Sequence, residues 1–352
     1  SLGSKYYDCR YDNAQFISGS KDSYLFNSSI QEVDNADAIL LVGTNPRWEA
    51  SVLNARIRKA YINNNCKIGL IGEKINLNYK YDQISENIMS LNEILNEKDQ
   101  FSKIMLNAKN PIIIVGTSAI NHSAGKDVLE VCAEIAKKLP NSNTEFNPLN
   151  ILNQDISRVG ALEINFYNSF FNENYFEKIS KKINETKPVV FMLGLDEVDP
   201  KILGDAFVVY LGHHGDNSAS FADIILPTPA YTEKSSTYMN IEGRVIQTSR
   251  CHNPLGYSKE EWKIFRVLSN YFYQNLKFNN LQDLRKELVK SHSQFKRLLE
   301  LPKNNNLSFG SKVIISDKNI TYNIKNFYMN DSISRASETM AKCTKEILEK
   351  VA

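Results

Sequence analysis

The 352 residues are enough for two ordinary domains or one large one, and for burying about three quarters of the surface the unfolded chain exposes. Charges nearly balance, with 42 Lys+Arg against 40 Asp+Glu, and the small excess is spread along the chain. No electrostatic footprint for nucleic acid is written here. Hydrophobic residues make up 42%, yet no apolar run approaches the ~18 residues of a membrane-spanning helix. The five cysteines, Cys9, Cys66, Cys132, Cys251 and Cys343, are odd in number and contain no C-x-x-C. This argues against a disulfide framework or a local zinc or iron–sulfur motif, and for a reducing compartment. The opening Ser1, Leu2, Gly3 and Ser4 lack the basic and apolar regions of a signal peptide. There is no initiating Met, so the chain reads as part of something longer.

In chain order, apolar runs at 38–42, 67–71, 111–115, 189–193, 207–211 and 223–226 predict strands, with helical patterns between them. That alternation predicts an α/β fold with largely parallel sheets. Gly43, Gly72, Gly116, Gly194 and Gly212 each follow a predicted strand, where a glycine lets the backbone turn sharply toward a helix. Leu53, Ile57 and Tyr61 repeat at i, i+4 with Arg56, Arg58 and Lys59 off the stripe, which predicts an amphipathic crossover helix. The tract Asn63, Asn64, Asn65 falls where a loop is expected. A first α/β lobe is predicted over 1–105, a second over 106–260, and a helix-rich region over 261–352. The last carries Trp262, Phe265 and Leu268, then Leu281, Leu284 and Leu288, with a short strand at 312–315. No Pro/Ser-rich linker separates the lobes, so they are expected to pack together. At the chain end Ile333, Ala336, Met340 and Cys343 predict one helix with an apolar stripe, capped by Ser332 or Ser334 with Asp331 at its amino-terminal end.

Three segments carry candidate chemistry. Gly43, Thr44, Asn45, Pro46 and Arg47 sit between a buried strand and a helix, the position at which open α/β sheets bind ligands. They lack a glycine-rich phosphate motif and read first as a structural turn, with a ligand-cradling loop as the alternative. His213 and His214, in Gly212-His213-His214-Gly215-Asp216, are adjacent, so their side chains are expected to point apart and a polar loop is the default over a metal site. The stretch 222–247 ends a strand at Pro227 and then gathers Glu233, Asn240, Glu242 and Arg244. Glu233, Glu242 and Arg244 form either a carboxylate–guanidinium network holding an irregular loop or a polar pocket for a heterocycle. No hydrolase elbow and no H-E-x-x-H motif appears.

The run from Val33 to Arg47, continued by Asn54, Ala55, Arg56, Ile57, Arg58 and Lys59, resembles the large iron–sulfur subunit (the G-type subunit) of NADH-quinone oxidoreductase, respiratory complex I. The stretch from Gly212 to Asp216, the Glu-Lys-Ser and Glu-Gly-Arg landmarks of 222–247, and the segment from Phe327 to Ser337 with Met340 to Cys343 agree in the same order. The resemblance implies a molybdopterin-oxidoreductase-like fold of two Rossmann-like lobes, the first inserted into the second, with a helix-rich tail. It implies that the 2Fe-2S and 4Fe-4S clusters belong to a missing amino-terminal half and that this fragment itself carries no cofactor, no metal and no catalytic residue. Its implied partners are that half and other subunits of the peripheral arm, on the cytoplasmic face of a bacterial inner membrane or the matrix side of a mitochondrial one. Gly43, Asn45, Pro46, Glu233, Asn240, Glu242 and Arg244 would then outline a vestigial pterin pocket. In active relatives a Cys, selenocysteine or Ser binds molybdenum; the corresponding position falls nearer Ala14 than Cys9. The rival readings are an active molybdenum or tungsten oxidoreductase domain and a nucleotide-binding regulatory module.

Overall fold

The computed structural model describes residue 4, then 6–140, 146–167, 188–215, 217–302 and 307–348. Asp216 lies outside the described residues, as do Asn304, Asn305 and Asn306. The first sheet contains β1 (Ala38–Val42), β2 (Lys67–Ile71), β3 (Asp82–Ser85), β4 (Pro111–Gly116) and β5 (Leu149–Leu152), all parallel, in the order β3-β2-β1-β4-β5. Leu40 pairs with Gly69 on one side and Ile113 on the other. The continuous Ile/Leu/Val runs of β1 and β4 are buried throughout, as a parallel sheet covered on both faces requires. Alternate residues of β1 serve opposite layers. Leu40 and Val42 pack with Ile113, Val115, Leu91, Met105 and Leu129, whereas Ile39 and Leu41 pack with Leu53, Ile57, Ile68 and Ile114.

The helices on these faces are α1 (Pro46–Glu49), α2 (Ser51–Asn64), α3 (Ser90–Leu95), α4 (Gln100–Asn107), α5 (Thr117–Ile120), α6 (Gly125–Lys138) and α7 (Arg158–Glu163). The predicted crossover helix is α2, which buries Leu53, Ile57 and Ala60. The asparagine tract is not all loop: Asn63 and Asn64 finish the helix and Asn65 closes it at φ 53°. This is the left-handed conformation that Asn tolerates better than most residues.

A boundary at residue 105 does not follow the sheets. Strand β4 pairs with β1 along its full length and β5 extends the same sheet, so the first α/β unit runs on past Leu152. The second sheet holds β6 (Val189–Leu193), β7 (Phe207–Gly212) and β8 (Ile224–Pro227), parallel in that order, with the single-turn helix α8 (Asn217–Ser220) before β8. Its own core is small, centred on Met192, Val198, Leu203, Val208 and Tyr210, and Val189, Leu193, Phe207, Ile224 and Ile225 remain exposed.

Beyond it, β9 (Thr237–Met239) and β10 (Val245–Gln247) form an antiparallel hairpin, followed by α9 (Glu261–Tyr271) and α10 (Leu281–Ser291) as the leucine and aromatic spacing predicts. The strand expected at 312–315 does not form. That segment is irregular, with Ile314 exposed and Ile315 buried. The single terminal helix is also not formed. Asp331 caps α11 (Ser332–Arg335) by accepting from Ile333 N and Ser334 N, and Ser337 restarts the chain as α12 (Glu338–Cys343) by accepting from Met340 N. A second cap in mid-pattern splits the stripe and leaves Ile333 exposed.

Candidate functional site

The order of the first sheet fixes its ligand-binding position. The chain runs outward from β1 through β2 to β3, then returns to the opposite side of β1 for β4 and β5. The crevice therefore lies at the carboxyl ends of β1 and β4, between Gly43–Pro46 and α5. Both loops depend on glycine. Gly43 has φ 53°, and a Cβ on it would meet Ala119 Cβ at 2.7 Å; a Cβ on Gly116 would meet Thr44 Cβ at 2.5 Å. The loops are in direct contact.

Several donors on the β1 side of this crevice are already engaged or absent. Pro46, the first residue of α1, has no N–H to offer, and Gly43 N donates to Ile71 O at 2.8 Å. The Glu49 side chain folds back from the end of α1, so that Oε1 accepts from Asn45 N and Oε2 from Thr44 Oγ1, each at 2.9 Å. Burial pushes this carboxyl up to about 7, against the pull of those two hydrogen bonds. Of the seven buried side-chain atoms without a protein partner among the described residues, two line this crevice, Asn45 Oδ1 and Thr117 Oγ1.

Both flanks of the crevice are covered by distant parts of the chain. On the β1–β2 side, Tyr322 lies over the strand ends: its hydroxyl donates to Glu73 O at 2.8 Å and sits 3.0 Å from where a Gly72 Cβ would be. Asn323 N reaches Ser118 Oγ in α5 at 3.1 Å. The preceding residues are stitched to the loops before α3, through Ile320 N to Glu86 O, Ile88 N to Lys318 O and Asn92 Nδ2 to Ile315 O. On the β4–β5 side, Gln15 N donates to Ile120 O, and Ala14 is buried in the core beside the sheet. There Arg158, only 3% exposed, places Nη2 at 2.9 Å from Asp12 and 2.7 Å from Asp155. Tyr11 donates to Asp155 and Asn121 to Asp12. Burial raises the Asp155 carboxyl, opposed by the Arg158 charge. Cys9, packed nearby, is pushed up to about 11, chiefly by burial.

The residues expected to form one pocket fall into three places. Gly43, Asn45 and Pro46 are at the crevice. Asn240, Glu242 and Arg244 form the turn of the β9–β10 hairpin: Asn240 Oδ1 accepts from Glu242 N and Arg244 N, and Gly243 takes φ 79°. Glu242 is buried, accepts from Ile30 N at 2.8 Å and Asn240 Nδ2 at 3.0 Å, and lies 3.7 Å from Arg244 Nε. Arg244 also donates to Leu299 O. Glu233 stands apart, accepting from Ala230 N to close a 3₁₀ turn at Tyr231–Glu233. No hydrogen bond or ion pair among the described residues joins the hairpin group to the crevice group. Of the two readings open in the sequence, the hairpin trio matches a network holding a turn, and Glu233 is not part of it.

The two histidines do not point apart. A bend at this position brings His213 Nδ1 and His214 Nδ1 to 2.7 Å. Among the described residues no group of three or more His, Cys, Asp or Glu is arranged to hold a metal, and the five cysteines are unpaired. The open grooves beside α9, lined by Trp262, Lys263 and Asn279, include none of the predicted pocket residues.

A sheet of this order, with its crevice at the strand ends and a second parallel sheet following, has the doubly wound α/β architecture expected for the molybdopterin oxidoreductase class. The chain belongs to that family, whose model matches residues 1–271. Residues 300–343 match the model for the carboxyl-terminal region of the G-type subunit of NADH-ubiquinone oxidoreductase. Relatives agree: the mitochondrial NADH-ubiquinone oxidoreductase 78 kDa subunit of Candida albicans is 38% identical over 92% of this chain and 45% of its own length. The 75 kDa subunit of Reclinomonas americana is 34% identical over 95% of this chain and 48% of its own. The G-type subunit of NADH-quinone oxidoreductase from Rickettsia bellii is 34% identical over 96% and 47%. The chain thus spans about half the length of these relatives. Acetylene hydratase from Pelobacter acetylenicus shares the fold, with a TM-score of 0.50 at 12% identity, covering 78% of this chain and 54% of that one.

The family implies a molybdenum–pterin group, and the residues present do not fit it. Ala14, at the position the resemblance gives to the metal ligand, offers a buried methyl group. The amide of Asn45 is committed to Glu49, and the strand ends beside it carry Tyr322. Sequence reasoning missed Glu49, Tyr322, Arg158 and Asp12. Glu49 had a signal, an acidic residue near the start of a helix headed by proline. Tyr322 had none, since nothing local in sequence ties it to Gly72.

Proposed function

We propose that this chain is a non-catalytic structural part of a complex I electron-transfer subunit. Its work is to pack against a cluster-bearing amino-terminal half of the same subunit and against other subunits of the peripheral arm, while electrons pass from NADH toward quinone through the clusters of that half. The observation that carries the reading is the agreement along the chain of two family models, in an order shared with relatives that align over nearly all of it. The spacing of the cysteines supports it, because clusters and their ligands would have to be supplied from elsewhere. No helix among the described residues is long and apolar enough to cross a membrane. A site on the cytoplasmic or matrix side, held through neighbouring subunits, accords with that.

The tail from Phe327 onward is the proposed contact with a neighbouring subunit. Phe327 and Ile333 are exposed there, and aromatic and aliphatic side chains of this kind are used in interface cores. The proposal is tested by purifying the assembled enzyme and measuring molybdenum and tungsten by elemental analysis. Less than about 0.1 atom per complex is expected, given the roughly one per complex that a working site demands. A stoichiometric amount overturns the reading in favour of an active pterin oxidoreductase.

A further inference from the structure

We propose that the chain fills its own cofactor crevice with two internal groups, the Glu49 carboxylate in the amide cradle and the 315–323 segment as a strap across the strand ends. The proposal rests on the family reading above and deepens it, since it names what replaced the cofactor. In a sheet of this order the crevice between β1 and β4 recognises an anionic group through the amides at the start of the following helix. Here the Asn45 amide donates to Glu49 Oε1 at 2.9 Å, and Thr44 Oγ1, the hydroxyl beside it, donates to Oε2. A carboxylate of the protein thus takes the bonds a phosphate would take. An incoming anion would have to displace it.

The strap closes the space above. Tyr322 is 8% exposed and belongs to the same apolar cluster as Ile39, Leu41, Ile75 and Leu77. Its hydroxyl lies 3.0 Å from where a Cβ at position 72 would be. Asn323 continues to Ser118, so the segment passes from the end of β2 to the helix after β4, across the crevice and not along its rim. Ile315 and Ile320, 1% and 2% exposed, anchor it in the opposite layer. Two of the seven unpartnered buried atoms among the described residues, Asn45 Oδ1 and Thr117 Oγ1, lie beneath the strap, each at a cost of roughly 1–3 kcal/mol. They accord with a crevice whose ligand has been lost and whose lining has not been fully replaced.

The test is hydrogen exchange of the full chain, followed by mass spectrometry, for the wild type, Tyr322→Ala and Tyr322→Phe. In the wild type the amides of Ile315, Ile320 and Tyr322 are expected to be protected. Tyr322→Ala should speed exchange in 315–323 by about a hundredfold and also expose the 43–46 loop, leaving α10 unchanged. Should Tyr322→Ala fail to fold, Tyr322→Phe, which loses only the bond to Glu73 O, should give the same pattern at about tenfold. A strap that exchanges like free peptide in the wild type overturns the proposal, as does a released strap with no change at 43–46. The second arm adds inorganic phosphate, a probe for the anion such a cradle takes, at millimolar concentration to the wild type. No change at 43–46 is expected, and protection there overturns the proposal. A chain whose strap is open but whose assembled enzyme holds no molybdenum would sink this inference alone, leaving the structural role standing.

Discussion

Glu49 gives the chain a pH dependence that can be worked out in advance. Its carboxyl receives hydrogen bonds from Thr44 and Asn45, both uncharged groups, and burial moves it from 4.5 to about 7 in the folded state. Because the folded value is the higher one, the folded protein holds this proton through a range in which the unfolded chain has released it. Stability from this group is therefore full below pH 4.5, declines from there to pH 7, and stays at its lower level above. At 1.36 kcal/mol per pH unit the decline is at most about 3 kcal/mol, and because part of the side chain remains solvent-accessible a value of about 1–3 kcal/mol is expected. Glu49→Gln keeps the shape and removes the titration. Urea unfolding midpoints for the two proteins, measured from pH 4.5 to 8.5, should converge at the acid end and separate toward the alkaline end, with the variant the more stable at pH 8. The difference between the two curves is the quantity to read, since other carboxylates titrate in both. Parallel curves would refute the reasoning, and a variant less stable at pH 8 would mean that the ionised carboxylate is the form the fold requires.

Other substitutions test other contacts. Arg158→Ala leaves Asp12 and Asp155 facing each other without a cation, and a loss of about 3–5 kcal/mol is expected in denaturant unfolding. Glu242→Ala removes the acceptor of Ile30 N and Asn240 Nδ2 and should cost about 2–3 kcal/mol. Arg244→Ala should cost about 1 kcal/mol, because the Arg244 side chain is 32% exposed and sits 3.7 Å from Glu242. Equal losses for these two variants would show that the pair acts as a unit. Truncation after Asn326 should leave thermal unfolding of the rest nearly unchanged while blocking incorporation into the peripheral arm. Normal incorporation would remove the tail from the docking account.

The parts of the fold legible in the sequence are those whose strands are apolar runs ending at glycine. Strands β1, β2, β4, β6 and β7 are such runs, dominated by Ile, Leu and Val with Phe, Met and Tyr, and the apolar pattern places each to within a residue. Strands β3 and β5 have no such signature. The first is an exposed edge of Asp82, Gln83, Ile84 and Ser85, and the second interrupts Leu149, Ile151 and Leu152 with Asn150. That asparagine is fully buried, its side-chain oxygen accepting from both Ser28 N and Ser28 Oγ, so tertiary partners make a strand of a segment whose local composition suggests a loop. At the crevice, Gly43, Asn45 and Pro46 can be placed because a turn after a buried strand has a local signature. Arg158, Asp12 and Tyr322 cannot, since the contacts that give them meaning join segments far apart in the chain. The hairpin at 237–247 reads as an irregular loop because its strands are only three residues each.

The strap also bears on the order in which the protein can be made. The bonds that tie Asn87 to Lys318 and Asn92 to Ile315 close loops of 231 and 223 residues. A first α/β unit emerging from the ribosome can assemble β1 to β5 from local and intermediate contacts, but its strand ends stay uncovered until residues 315–323 have been synthesised. Closing so long a loop costs little more entropy than closing one half as long, about 0.6 kcal/mol per doubling. The delay is therefore set by translation, at roughly 5–20 residues per second. For roughly 10–35 seconds the nascent chain presents an open crevice edged by Gly43, Gly72 and Thr117, and quality control or an assembly factor that distinguished open from closed would be reading whether synthesis had reached the strap.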